Sequence, residues 1–182
     1  MIDMTNKRAA IFGLPGSGKS KLVEHIASST SRHLIYDPMN EHPKFHRFVP
    51  SDRNSTAELS EFINKGVLAW RPKLFILEEA NRHVRPKPTP LPPGLDDLND
   101  YSRHWDIAWL AVARRMSQFH SDIVELCHYL FIFRLPGKND YTYMESLHQG
   151  LGDTVRALPQ YHFAILEDGV KITTHAPVEI YQ

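Results

Sequence analysis

The sequence predicts an α/β fold: one domain over residues 1–182, with a central mainly parallel sheet, helices on both faces and a C-terminal β-hairpin. Three observations predict it. Apolar runs of strand length alternate with stretches of helical periodicity, the pattern of βαβ units. A glycine-rich stretch, Gly13-Leu14-Pro15-Gly16-Ser17-Gly18-Lys19-Ser20, joins the first such run to the first helical pattern. Near the end, Tyr161–Leu166 and Val170–Thr174 flank Glu167-Asp168-Gly169, a strong hairpin signal.

The glycine-rich stretch fits G-x-x-x-x-G-K-[ST] without a mismatch. Before it, Arg8–Phe12 reads as a buried strand; after it, Lys21–Ala27 reads as a helix with Leu22, Val23 and Ile26 on one face. The loop therefore meets a helix N-terminus, where unpaired N–H groups and the helix dipole favour phosphate. Gly13, Gly16 and Gly18 let the backbone wrap an anion closely. Lys19 reaches toward the β- and γ-phosphates of ATP, and the Ser20 hydroxyl is a Mg²⁺ ligand. A nucleoside triphosphate is the expected cofactor.

Further along, His33–Tyr36 reads as a short strand stopped by Asp37-Pro38, with Asp37 capping the turn. Residues 39–50 read as a surface loop. Ser55-Thr56-Ala57-Glu58 is a capping-box signature for a helix with Leu59, Phe62 and Ile63 inside, ended by Gly66. Lys73–Leu77 is a buried strand that delivers Glu78 and Glu79 to the crevice at its carboxyl end. This is a Walker B arrangement: Glu78 holds Mg²⁺ through water, and Glu79 is the general base for an attacking water. Glu78 departs from the usual Asp by one methylene. A kinase transfers to a substrate hydroxyl and often needs no such base, so Glu79 favours water as acceptor.

Residues 82–94 are proline-dense and basic, which excludes helix and interior strand. Two readings stand for Arg82, Arg85 and Lys87: a semi-rigid loop touching a phosphate backbone, or a solvated connection. A short helix over residues 96–105 precedes a fourth strand, Ile107–Ala113, which ends in Arg114-Arg115, two arginines that at a strand's carboxyl end point toward the phosphate crevice. A helix over Ser117–Cys127 leads to a fifth strand, Tyr129–Arg134, then a turn over 135–140 and a helix carrying Met144 and Leu147. Twenty-one basic and 21 acidic residues balance, so any nucleic-acid contact is local rather than a property of the whole surface. The single cysteine, Cys127, excludes an internal disulfide and suits a reducing compartment, and it reads as a packed, inert thiol. No stretch has the length and apolarity of a signal peptide core or a membrane span, so a soluble intracellular protein is expected.

Four stretches, GLPGSGKS, LFILEEANR, SRHWDIAWLAVARRMSQFHSDI and YLFIFRLPGKND, with a weaker echo in LPQYHFAILEDG, resemble the FtsK–HerA superfamily of motor ATPases, and particularly its viral genome-packaging members. The resemblance spans Arg8 to Gly169. It implies a RecA-like (ASCE) P-loop NTPase that forms a homo-oligomeric ring, a hexamer, around double-stranded DNA at a viral capsid vertex, in the virion or host cytoplasm. It implies ATP hydrolysis between subunits, with an arginine donated by the neighbour; Arg103 occupies that position. Cellular relatives carry a γ-phosphate-sensing Gln after the fourth strand, where this chain has Arg114, so Arg114 departs from the pattern. For Arg115 and Arg134 a surface ion pair is the expected role. A Zot-like phage assembly or secretion ATPase is the alternative, and a small-molecule or nucleoside kinase a more distant one.

Overall fold

The computed structural model describes residues 2–178. Their eight strands form one sheet: β1 Arg8–Phe12, β2 His33–Tyr36, β3 Arg47–Phe48, β4 Leu74–Leu77, β5 Ala108–Ala113, β6 Tyr129–Phe133, β7 Phe163–Glu167 and β8 Lys171–His175. The order across the sheet is β3-β2-β4-β5-β1-β6-β7-β8. Every pairing from β3 to β6 is parallel, and the two pairings through β7 are antiparallel. The expected mainly parallel sheet with a terminal hairpin is what forms. At the hairpin turn, Asp168 and Gly169 both take positive φ, 49° and 69°, which matches the twist of the strands they join.

Strands β1, β4, β5 and β6 are apolar at nearly every position because both faces of the sheet are covered. The pleat sends Ala9 and Ile11 to one face, Ala10 and Phe12 to the other. Helix α1, Lys19–Ser28, covers the first face, packing Leu22, Val23 and Ile26 on Ile11, Ile76, Leu110 and Phe131. Each of those three helix side chains contributes about 1.5–3 kcal/mol by leaving water. The other face is covered by α2 Thr56–Phe62, α4 Leu95–Tyr101, α5 Ser121–Glu125, α6 Lys138–Leu147 and α7 Leu151–Ala157; the one-turn α3, Leu68–Trp70, extends α2. Trp109 lies fully buried on this face, beside Phe75 and Leu77.

The structure differs from the sequence reading at five places. The expected surface loop over 39–50 contains β3, an edge strand of two residues that pairs Arg47 and Phe48 with Ile35 and Tyr36. Gly66 does not end the helix that starts after Ser55. A π-turn over Ile63–Val67 absorbs it under the Phe62 ring, and the helix ends at Trp70, where Arg71 takes φ 50°. Ser55 caps α2 by accepting from Glu58 N at 3.1 Å, but the Glu58 carboxylate reaches past it to Ser51 N and Asp52 N at 2.8 and 2.9 Å. The helix expected over Ser117–Cys127 is confined to Ser121–Glu125, because buried Asp140 accepts from both Ser117 N and Ser117 Oγ and draws that segment toward α6. The same α6 starts at Lys138, inside the expected turn. Cys127 is part-exposed at its surface, yet burial of the sulfur pushes its thiol up to about 12, so it stays protonated and inert.

Helices α6 and α7 meet through Glu145, whose carboxylate accepts from Gly150 N and Gly152 N at 3.0 and 2.8 Å. A Cβ at Gly152 would lie 2.6 Å from the Tyr141 ring and 2.9 Å from Glu145 Oε1. Gly152→Ala gains about 1 kcal/mol of helix propensity. Overpacking of about 1–3 kcal/mol opposes it, so urea unfolding should show a net loss of stability.

Candidate functional site

The carboxyl ends of β1, β5 and β4 lie side by side, and their register sets which groups meet beyond them. Phe12 pairs with Ala113, and Leu77 with Ala111. The P-loop therefore emerges beside Arg114, and the Glu78-Glu79 pair emerges one strand further on. Gly13 N donates to Ala113 O at 3.3 Å, which ties the start of the loop to the end of β5. Gly16 and Gly18 adopt φ of 75° and 107°, so the loop requires residues without a Cβ there. Gly18 is the N-cap of α1 and supplies no side-chain partner, which leaves the first helical N–H groups free for an anion. The Ser17 hydroxyl inside the loop is buried and unpartnered. These features fit a triphosphate.

Lys19 Nζ donates to Leu14 O at 3.1 Å, so the ammonium already lies across its own loop. Burial pulls Lys19 below the ordinary lysine range, and the charges of Glu78 and Glu79 pull it partly back. Glu79 takes φ 48°, an uncommon conformation for a residue with a Cβ. Its carboxylate accepts from Arg114 Nη2 at 2.9 Å and lies 3.8 Å from Arg82 Nε. Arg114 thus faces the crevice, as its place at the end of β5 implied, with Glu79 as its partner. Arg115 instead pairs with Asp140 at 3.7 Å, an ion pair as expected.

Glu78 is buried and turned to a residue that sequence reasoning leaves in a loop. Its Oε1 accepts from His42 Nε2 at 3.0 Å, while His42 Nδ1 lies 3.5 Å from Glu24 of α1. His42 is fully buried. Burial lowers its pKa, and the hydrogen bond and charge of Glu78, with the charges of Asp37 and Glu24, outweigh that and raise it. Asp37 caps this loop, accepting Glu41 N and His42 N at 2.9 Å each. Glu41 then accepts from Ser20 Oγ at 3.2 Å. The hydroxyl of Ser20 and the carboxylates of Glu78 and Glu41 are hard oxygen donors, the set that Mg²⁺ takes. In sequence, His42 stands in an H-x₃-H spacing with His46, and nothing in the 39–50 stretch ties it or Glu41 to the acid pair.

Two of the three basic residues of the proline-rich segment are engaged within the chain. Arg82 Nη1 donates to Asn54 at 2.9 Å, and Lys87 pairs with Asp122 at 2.5 Å. Arg85 lines a cleft of about 310 Å³ with Arg82, Arg114, Asn54, Asn81 and Glu79. Arg103 lies elsewhere. It sits in the 3₁₀ turn Ser102–Trp105 before β5, at the amino ends of the central strands and so at the opposite end from the P-loop, in a groove with Asn6, Arg8, Asp100 and His104. It cannot serve the P-loop of its own chain from there. A cleft of about 330 Å³ borders the P-loop on its other side, where Phe133, Tyr161 and Phe163 meet Gly16, Gly18 and Lys21. The aromatics of that wall come from the end of β6 and the start of β7, remote from the loop in sequence, and carry no motif.

Solved structures share this fold from end to end. The chain superposes on the genome packaging NTPase B204 of Sulfolobus turreted icosahedral virus 2, in complex with ATP-gammaS, with a TM-score of 0.84 at 16% identity, covering 98% of this chain and 100% of that one. On B204, the DNA-packaging ATPase of Sulfolobus turreted icosahedral virus, the TM-score is 0.83 at 19% identity, covering 97% and 100%. The chain has the fold of the viral genome-packaging ATPases. The N-terminal domain of zonular occludens toxin from Neisseria meningitidis follows the packaging fold less closely, with a TM-score of 0.58 at 12% identity over 95% of each chain. No protein-family model matches the chain, and no curated protein matches it in sequence.

A Cβ at Gly13 would lie 2.5 Å from Ser17 Oγ and 2.9 Å from Phe133 Cβ, two groups that shape the loop. Relieving that contact costs about 1–3 kcal/mol. If it is taken from the ligand-binding geometry, Gly13→Ala weakens triphosphate binding about ten- to a hundredfold. Titration with a fluorescent ATP analogue measures this, with circular dichroism to confirm the fold.

Proposed function

We propose that this protein is an ATP-hydrolysing motor that moves double-stranded DNA into a viral capsid. What carries the reading is the catalytic acid pair Glu78-Glu79, set beside a complete P-loop in a fold that covers a packaging NTPase over its full length. The triphosphate lies along Gly13–Ser20, its charge met by backbone N–H groups and by Lys19, which exchanges the Leu14 carbonyl for a phosphate oxygen. Bound Mg²⁺ would be held by Ser20 and Glu78 and would neutralise charge on the phosphate oxygens. The nucleobase packs on Phe133 and Tyr161 in the neighbouring cleft.

Glu79 accepts a proton from water as the water oxygen attacks the γ-phosphorus; the bond to the β–γ bridging oxygen breaks and ADP departs. The Arg114 guanidinium lies between this base and the P-loop. Drawn to the terminal phosphate, it loosens its hold on Glu79, so binding and base release are linked through one side chain. Arg103 completes the site of a neighbouring subunit in a homo-oligomeric ring. Its place at the amino ends of the strands, away from its own P-loop, supports a role in trans. Arg85, with Arg82, supplies the contact to the DNA backbone, a sequence-blind interaction.

A Zot-like assembly or secretion ATPase is the second reading, favoured by the superposition on the zonular occludens toxin domain. Among the described residues no helix is long and apolar enough to cross a membrane.

Hydrolysis should be measured alone, with duplex DNA and with a panel of nucleosides. The motor reading expects stimulation by duplex DNA that fades with salt; phosphate transfer to a nucleoside would overturn it. Lys19→Ala should lower turnover by about 10²–10³-fold or more, and normal turnover by this variant would sink the P-loop assignment.

Arg103→Ala should retain nucleotide binding and lose about 10³-fold in hydrolysis. Mixing it with Lys19→Ala should restore part of the activity through mixed interfaces. If the mixture stays as inactive as either variant alone, Arg103 is not a trans-acting group.

A further inference from the structure

His42 belongs to a stretch that reads as surface loop, yet among the described residues it is the only fully buried polar or charged side chain touching the acid pair. Three anchors hold it there. Its backbone N donates to Asp37 Oδ2 at 2.9 Å, Arg47 Nη1 donates to its carbonyl at 3.3 Å, and its ring stands edge-on to Phe45. With the backbone so held, the ring reaches Glu78 Oε1 at 3.0 Å on one side and Glu24 Oε1 at 3.5 Å on the other. Glu24 belongs to α1, the helix that begins with Lys19 and Ser20. The imidazole therefore spans the P-loop helix and the end of β4.

We propose that His42 is a positioning residue for Glu78: clamped between Glu24 and Glu78, it fixes the Glu78 carboxylate for the Mg²⁺ of a bound triphosphate. The proposal rests on reading Glu78 as the metal-side acid. Glu78 is one methylene longer than the Asp usual at this position and has one more torsion to restrain. His42 supplies that restraint, taking up one oxygen by hydrogen bond and leaving the other for the metal-bound water. Second-layer contacts of this kind are worth about 10–100-fold in metal affinity.

The test uses the whole chain, with His42→Ala and His42→Gln. A glutamine amide can replace Nε2–H as donor to Glu78, so it should restore what alanine loses. Two quantities are read: affinity for a fluorescent ADP in EDTA, and the Mg²⁺ concentration for half-maximal binding and hydrolysis of the triphosphate. His42→Ala should leave the EDTA affinity within about twofold and raise the Mg²⁺ requirement about 10–100-fold, and His42→Gln should recover most of that rise. An unchanged Mg²⁺ requirement in both variants overturns the proposal. So does an equal loss of both quantities in a folded His42→Gln, which would mark a purely structural pin. Should His42→Ala fail to fold, His42→Leu, which fills the buried site without a donor to Glu78, takes its place: a raised Mg²⁺ requirement in His42→Leu that His42→Gln recovers supports the proposal, and an unchanged requirement in His42→Leu overturns it. If wild-type binding shows no Mg²⁺ dependence at all, the ATPase reading itself has failed, which separates the two.

Discussion

Insertion of β5 between β1 and β4 is the constraint on which the rest of the structure depends. Parallel strands put all their carboxyl ends on one edge, and α/β folds collect ligands there. Without β5 the P-loop would lie against Glu78 and Glu79 with no cation except Lys19 between them. With β5 in place, Arg114 enters the gap and takes Glu79 at 2.9 Å. The three strand ends then carry a cation from the P-loop, a cation from β5 and two anions from β4, so that β5 sets positive charge next to negative. Arg114 on Glu79 and His42 on Glu78 offset part of the cost of holding these charges in a partly buried crevice.

The same edge explains the work of the segment from Asp37 to Phe48. Strand β2 lies next to β4, so its exit loop passes in front of the acid pair: Glu78 N donates to Tyr36 O at 3.1 Å. Asp37 turns the chain with both carboxylate oxygens, which sends Glu41 to Ser20 and His42 to Glu78. Edge strand β3 closes the segment back onto β2 and keeps it there. A short loop thereby joins the P-loop helix and the β4 acids through side chains, although the three are far apart in sequence.

Much of this was legible in the sequence, and the limit has a physical form. The P-loop, β1 and α1 are local: adjacent residues specify the strand, the glycines and the helix, and the structure obeys them. The acid pair is equally local, since a buried strand must end where charge begins. His42 and Glu41 were not legible, because their meaning lies in partners 36 and 21 residues away. Gly66 misled for the opposite reason. As a helix stop it is a sound local signal, but Val67 just after it is fully buried and Leu68 packs against the core, so the chain gains by staying helical. A π-turn accommodates the glycine beneath Phe62. The two residues of β3 are too few for any periodicity, and only the edge of β2 makes them a strand.

The two cations of the crevice respond differently to a ligand. Lys19 and Arg114 both point into the crevice, and both already have acceptors from the chain itself, a carbonyl and a carboxylate. A terminal phosphate is a stronger acceptor than a carbonyl and carries more charge than a carboxylate. On the function proposed above, it therefore draws both side chains toward itself, and each move has its own consequence. Lys19 leaves only Leu14 O, which water can satisfy. Arg114 leaves Glu79, whose carboxylate then has only Arg82 at 3.8 Å and is free to accept a proton. On the function proposed above, Glu79 becomes available as the base in proportion to occupancy of the γ-phosphate position, and a diphosphate, lacking that group, leaves the Arg114–Glu79 pair closed.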